Sequence, residues 1–456
     1  MRKTYRKTKK RRSGREGTEG EQQSDMRSSR GKETVSRTEG RGRIVRRAGK
    51  KRGRAVLSAV LAALLLLTFA ACTDSSKEGN GSTDEGFTGK TEEPVEVSIL
   101  CVGDVMAHST NIRAAQNAAG GSGYDFTDNY EYVKPYISGA DLALCNVETT
   151  FAGTEPSGYP LFCAPDELAY ALMDAGFDVG ITSNNHMMDT GFDGMQRTLK
   201  VLRNQGLITV GSRYAGEDRW SIAEVNGVKI GLVAYTYETT GADSDGVTIN
   251  GNYVSKESEE LINSFNLNEL DEDIDRIASD IEGAEEAGAD IVVCYMHWGN
   301  EYQRTPDENQ IYMAQALADR GADIIFASHP HVLQKADILK SEDGRDVPVF
   351  YSMGNFISNQ RYETLNQNRY TEQGMMAQVT VEVLPGTGEI VEETVQVIPT
   401  WVDRYGSPYR YAIIPLDSDL QTNPVLAASG HLGRAQQALQ DVTELIGAEY
   451  LSGTAA

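Results

Sequence analysis

Six histidines occur in the 456 residues, and four of them, His186, His297, His329 and His331, fall with several Asp, Glu and Asn at the ends of short apolar runs. Asp104 closes SILCVGD, Asn146 and Glu148 close LALCNVE, and Asn184, Asn185 and His186 follow VGITS. His297 closes IVVCYMH, while His329 and His331 follow IIFAS within Ser328-His329-Pro330-His331. His108 lies four residues past Asp104, and His431 stands apart. Imidazoles, carboxylates and amide oxygens without thiolates suit a borderline or hard divalent ion such as zinc, manganese or iron. One or two ions are expected, a carboxylate bridging them if there are two. Taken singly, each residue reads as easily as a helix cap, a turn former or a surface hydrogen bonder. Their convergence and the His-x-His pair carry the metal-site expectation.

Convergence requires elements that bring distant segments together. From Val95 onward short apolar runs alternate with helical periods, the pattern of an α/β domain with a partly parallel sheet. In such a sheet the carboxyl ends of the strands open on one crevice, where ligands bind. Helices are expected near 165–175, 191–205, 268–287, 307–320 and 432–445. Asn226-Gly227 between two strand-like runs predicts a hairpin, and Pro385-Gly386-Thr387-Gly388 turns the strands of 375–397. The polar stretch 241–265 reads as a surface excursion, and the chain beyond about 404 as peripheral to the domain. Of five cysteines, Cys101, Cys145 and Cys294 sit in apolar runs and read as free buried thiols. No CxxC pair supports a zinc-thiolate site.

Charge divides the chain. Residues 1–54 hold 21 Lys+Arg against 6 Asp+Glu, a net of +15 within a whole-chain −23, which leaves −38 for the rest. A body that acidic repels a phosphate backbone, so nucleic acid is excluded as a partner. The charge-free run 55–71 after the basic block is an export signal or a membrane anchor. Phe69-Ala70-Ala71-Cys72 resembles a bacterial lipoprotein signal in which Cys72 is lipidated; an uncleaved span is the alternative. Either places residues 73–456 outside the cytoplasmic membrane, with 1–54 as a basic, cytoplasmic or disordered segment and 73–94 as a flexible tether. The organisation is then a 55–72 signal or anchor, a main domain over 95–400 and a C-terminal extension over 401–456.

The ordered motifs GDVM (103–106), NVE (146–148), SNNH (183–186), MHWG (296–299), SHPH (328–331) and SMGNF (352–356) resemble the CapA family of capsule or poly-γ-glutamate biosynthesis proteins. Its domain is similar to the calcineurin-like metallophosphoesterases. The resemblance implies a four-layer α/β/β/α sandwich. It implies metal ligation by Asp104, Glu148, Asn185, His297, His329 and His331, with His186 as general acid. Two departures stand out. Met106 occupies the place of a first-motif His, with His108 too far along to replace it, and Glu148 stands where phosphoesterases have a shorter bridging Asp.

The function expected is metal-assisted hydrolysis at the cell surface, on a phosphoester or a γ-glutamyl amide, with Asn146, Asn184, Trp298 and Arg304 binding substrate. The competing expectation is a non-catalytic anchored accessory that binds or guides an anionic capsule polymer, with a capsule synthase complex as partner. The absence of GxGxxG after a strand, GxxxxGK[ST] and GxSxG gives no support to dinucleotide, P-loop or serine-hydrolase chemistry.

Overall fold

The computed structural model describes residues 93–241, 246–416 and 419–451. The basic segment, the apolar run with Cys72 and the tether up to residue 92 lie outside the described residues.

The chain enters on β1 (Val95–Val105), followed by β2 (Leu142–Val147), β3 (Val179–Ile181) and β4 (Ile208–Val210), all parallel neighbours. A second sheet starts with β5 (Ser221–Val225) and β6 (Val228–Tyr237), paired antiparallel. Their turn has Asn226 and Gly227 both at positive φ, 54° and 86°, as an Asn-Gly hairpin of matching twist requires. A small ribbon of β7 (Thr248–Ile249) and β8 (Asn252–Tyr253) and the short β9 (Ser264–Phe265) fill the surface excursion. Then β10 (Ile291–His297), β11 (Ile324–Ser328), β12 (Ala336–Lys340) and β13 (Asp346–Phe350) extend the second sheet to the order β12-β13-β11-β10-β6-β5.

The chain returns to the first sheet through β14 (Asn355–Ile357), β15 (Gln373–Leu384), β16 (Glu389–Tyr405) and β17 (Arg410–Pro415), giving β17-β16-β15-β1-β2-β3-β4 with β14 on β1. The C-terminal segment is therefore integral. β17 pairs with β16 from Tyr405↔Arg410 to Thr400↔Pro415, and the helices Pro424–Ser429 and Leu432–Ile446 pack on Trp401, Ala412 and Ile414. A peripheral extension was the expectation because the strand signal here is one short run, YAIIP. What makes it a strand is the long partner β16 beside it.

Both faces of β1 are apolar because both are covered. Val97, Ile99 and Cys101 meet Ile230, Leu232, Val293 and Phe326 of the second sheet in the central core. Leu100 and Val102 face the outer helices through Leu168, Leu172 and Leu202. On the opposite side, Val233, Cys294 and Ile325 pack on Ile274, Ile277, Ile281, Met313 and Leu317 of the helices Leu270–Glu286 and Glu308–Asp319. The layers thus run helix, sheet, sheet, helix, the four-layer sandwich that the resemblance implies. Cys101, Cys145, Cys163 and Cys294 are free and buried. Among the described residues no helix is long and apolar enough to cross a membrane.

Candidate metal centre

Several parallel strands of both sheets end on one rim and deliver polar groups there. Asp104 ends β1 in register with Asn146 of β2 and Asn355 of β14. This crowding explains Gly103: a Cβ there would lie 1.9 Å from the carbonyl oxygen of Gly354. His297 ends β10 opposite Ser328 of β11, and Ser328-His329-Pro330-His331 follows directly. The turn is not simply bent by its proline. His329 and His331 both have positive φ, 108° and 56°, a conformation that costs a β-carbon residue energy and persists where surroundings over-determine it.

Asp104 Oδ2 faces His331 Nδ1 at 2.9 Å, and its Oδ1 accepts from Asn146 Nδ2 at 2.8 Å. His297 Nε2 lies 3.0 Å from Asn185 Oδ1, and its Nδ1 lies 3.4 Å from Asn146 Nδ2. Because an amide nitrogen only donates, Nδ1 of His297 is the acceptor and Nε2 the protonated nitrogen in this arrangement. Glu148 Oε1 stands 3.8 Å from both His297 Nε2 and His331 Nε2. His329 packs into the group with its ring tilted, 4.9 Å from His297 and 4.7 Å from Tyr237 between ring centroids. Asp104, Glu148 and His297 are fully buried and bring ligand atoms within 4.8 Å of one another.

The electrostatics show what this group is missing. Burial drives Glu148 well above the usual carboxylate range, and the neighbouring Asp104 charge adds to that. Burial also acts against ionised Asp104, but the hydrogen bond and charge of His331 and the charge of His297 outweigh it and hold the carboxyl low. Burial pulls His297 down to about 3. Burial, then the charges of His297 and His331, pull His329 well down. Burial also opposes a charged His331, but its contact with Asp104 raises it. Neither oxygen of Glu148 has a hydrogen-bond partner among the described residues, nor has His329 Nδ1. Buried polar groups left unpaired are costly, and a cation is the partner that neutral imidazoles and an unpaired carboxylate share. Bond lengths of about 2 Å from Zn²⁺ to nitrogen and oxygen place ligand atoms roughly 3–4 Å apart, and Glu148 Oε1 stands 3.8 Å from two imidazole nitrogens. The residues present fit a divalent ion.

His186 sits at the rim, 4% exposed, with its Nδ1 2.7 Å from Asp189 Oδ2 and its ring edge-on to Phe162 at 4.6 Å. The same Asp189 oxygen accepts from the Phe162 backbone N–H at 2.6 Å, which ties the two together. His108 flanks Phe162 at 5.0 Å, and its Nδ1 accepts from Asn359 N at 3.2 Å.

Asp104, Glu148, Asn185, His297, His329 and His331 are gathered, with His186 beside them. Four expected substrate contacts are placed otherwise. Asn146 is fully buried between Asp104 and His297, and its Oδ1 accepts from Asn184 Nδ2 at 3.1 Å. Asn184, also fully buried, donates to Val147 O at 2.9 Å and accepts from His186 N at 3.1 Å. Both amides are spent on holding their neighbours. Trp298 is a core residue, 2% exposed, with its indole donating to Tyr351 O at 3.0 Å: one step past His297, the strand turns its side chain to the helix side. Arg304 stacks on Tyr370 at 3.9 Å and donates to Asp441 O at 3.4 Å, bound to the C-terminal helix. Asp189, Phe162 and Tyr237 were not singled out in the sequence; only the His-x-x-Asp spacing from His186 to Asp189 carried a signal.

Residues 98–360 match the family model described as bacterial capsule synthesis protein PGA_cap. The chain belongs to this capsule synthesis family. The family's capsule biosynthesis protein CapA of Bacillus anthracis is 30% identical over 279 residues, 59% of this chain and 62% of that protein. The PGA biosynthesis protein CapA of Bacillus subtilis (strain 168) is 30% identical over 280 residues, 59% of this chain and 66% of its own. The chain thus spans under two thirds of the length of each. A purple acid phosphatase from yellow lupin seeds covers 70% of this chain and 54% of its own at 7% identity, with a TM-score of 0.31, a likeness of outline only.

Proposed function

We propose that this capsule synthesis family member is a metal-dependent hydrolase of capsule or poly-γ-glutamate biosynthesis, acting outside the cytoplasmic membrane on a phosphoester or a γ-glutamyl amide. The observation that carries the reading is Glu148, a fully buried carboxylate with both oxygens unpaired, facing two imidazole nitrogens at 3.8 Å.

Asp104, Glu148, Asn185, His297, His329 and His331 would hold the cation. When bound, the cation supplies Lewis-acid polarisation and balances the negative charge of a substrate oxyanion within an acidic body. Asp104 fixes the ring of His331 through Nδ1, and Asn146 fixes Asp104 and His297 against each other. Asp189 holds His186 at Nδ1, so Nε2 is the nitrogen left to give a proton to the leaving group. Phe162 packs against the ring at 4.6 Å, in a T-shaped contact. Anchoring through the apolar run 55–71, or through a lipid on Cys72, would keep this chemistry at the outer face of the membrane.

Elemental analysis of the purified protein, with turnover of generic phosphoesters and of poly-γ-glutamate, tests the reading. Asn185→Ala, His297→Ala and His329→Ala should each lose metal and activity; metal and turnover retained in all three would refute it. One observation favours the second reading, an accessory that binds or guides the polymer without cleaving it: Met106, 2% exposed, occupies the place of the first-motif His. That reading requires polymer binding to survive His186→Ala with no turnover in the wild type.

A further inference from the structure

A second cluster of charged groups lies outside the metal centre, where the loop after β14 meets β16 and the two C-terminal helices. Arg361, Arg404 and Arg434 line one cleft of about 350 Å³, with Glu363, Tyr409 and His431. Arg361 is 1% exposed, donates to Val402 O, and faces Glu372 at 3.1 Å. Arg434 donates to Glu363 at 2.8 Å and to both oxygens of Glu372 at 2.6 Å. The side chain of His431 is turned to Asp403 through Nδ1 at 2.7 Å. Arg404 is different. Its Nη1 donates to the amide oxygen of Asn359 at 3.0 Å, its Nη2 stays 3.8 Å from Glu363, and it lies over the Tyr409 ring at 4.6 Å.

Arg361, Arg404 and Arg434 have Glu363 and Glu372 as their ion-pair partners, so three guanidiniums share two carboxylates. Burial first, then the like charges of Arg434 and Arg404, act against the charged form of Arg361. In a body whose net charge is strongly negative, a half-enclosed cleft with a guanidinium in excess is a place for an oxyanion. A carboxylate or a phosphate would be the missing counter-charge.

Its position gives the cleft a role. Asn359 reaches Arg404 and Tyr411 through its side-chain oxygen, at 3.0 and 2.6 Å, and His108 through its backbone N–H at 3.2 Å. His108 packs on Phe162, which packs on His186. Asn359, His108 and Phe162 therefore link Arg404 of the cleft to His186 at the rim of the metal centre. Gln360, next in the chain, reaches Tyr302 at 3.5 Å, and Tyr302 borders His331.

We infer that the Arg361–Arg404–Arg434 cleft is an anion subsite that holds an oxyanion group of an extended, repeating polyanionic substrate while another unit of it lies at the metal centre. The inference rests on the hydrolase reading only for where the reacting unit sits. The site selects for length: a monomeric ester or amide fills one end, and an oligomer with acidic groups at intervals fills both.

The test is calorimetric binding of two probes to the full chain, a short γ-glutamyl oligomer carrying carboxylates and a short-chain polyphosphate. Whichever binds identifies the oxyanion. Arg404→Gln should weaken it by about tenfold or more, as loss of a charge-assisted hydrogen bond does. Ala428→Glu places an acid at an exposed position on the cleft wall, where folding is not at stake, and should weaken it similarly. Binding of neither probe, or affinities within twofold of wild type in both variants, would overturn the subsite. The hydrolase reading fails separately: a wild type that binds the oligomer through Arg404 without cleaving any substrate keeps the subsite and loses the enzyme. A wild type that cleaves a small phosphoester while its oligomer affinity ignores both variants keeps the enzyme and loses the subsite.

Discussion

The Nε2 of His331 lies 3.8 Å from Oε1 of Glu148, across the seam where the first sheet hands over to the second. Glu148 follows β2, and His331 follows β11, so the contact exists only because two separate sheets end on the same rim. Neither hydrogen-bonds the other at that distance. The pair is spaced for something to sit between, and its cost in the metal-free protein falls on Glu148.

That cost predicts opposite effects of one substitution. Glu148→Gln keeps the volume and removes an ionisable group that burial drives well above the usual carboxylate range, so the metal-stripped variant should melt higher than metal-stripped wild type at neutral pH, by about 2 °C or more. With a divalent ion added, wild type should gain stability and the variant far less, because the ligand that binds the folded state is gone. Calorimetric melting with and without metal reads both signs.

Asp104 both belongs to the ligand group and orients His331. Asp104→Asn retains an oxygen but loses the charge that holds the imidazole, and metal affinity should fall by about 10–100-fold or more. Competition titration with a metal-binding dye measures it; an affinity within twofold of wild type would show that the Asp104–His331 contact orients nothing.

His186 should matter in proportion to how badly the leaving group needs a proton. His186→Ala is expected to slow alkyl phosphoesters or amides by about 10²-fold or more, and nitrophenyl esters distinctly less. Asp189→Asn should show the same selectivity in weaker form. Equal losses across leaving groups would assign His186 to binding instead.

How much of this was legible in the sequence depends on what set each position. The ligand-type residues were readable because each terminates an apolar run, and a run buried on both faces can place a polar group only at its end. Trp298 and Arg304 were misread for a related reason: nearness in sequence to His297 says nothing about direction, and one step along a strand reverses the face. Asn146 and Asn184 have the right chemistry for substrate, but the register Asp104↔Asn146 spends one internally and the backbone of Val147 and His186 spends the other. Phe162 and Tyr237 look like any core aromatic until the fold brings them beside imidazoles. The positive φ at His329 and His331 was hidden too, since proline constrains its predecessor but does not reveal a left-handed turn.

Away from the centre, Glu393 of β16 pairs in register with Val381, whose side chain belongs to the core between the sheets. Burial, then the charges of Asp346 and Asp323, push it from 4.5 up to about 7. Between those values the folded protein keeps a proton that the unfolded chain has released, so this residue lowers stability as pH rises through the window. Glu393→Gln should therefore melt higher than wild type at about pH 8, with the gap closing toward about pH 4. A gap that is flat with pH would place the carboxylate in water.

The most direct measurement is the metal content of the purified protein, by elemental analysis, in wild type and Glu148→Gln. One or two equivalents of a divalent transition metal in the wild type, largely lost in the variant, is the result expected of a centre built around Glu148. A wild type that neither carries nor takes up such an ion, or a variant that holds as much, would contradict it.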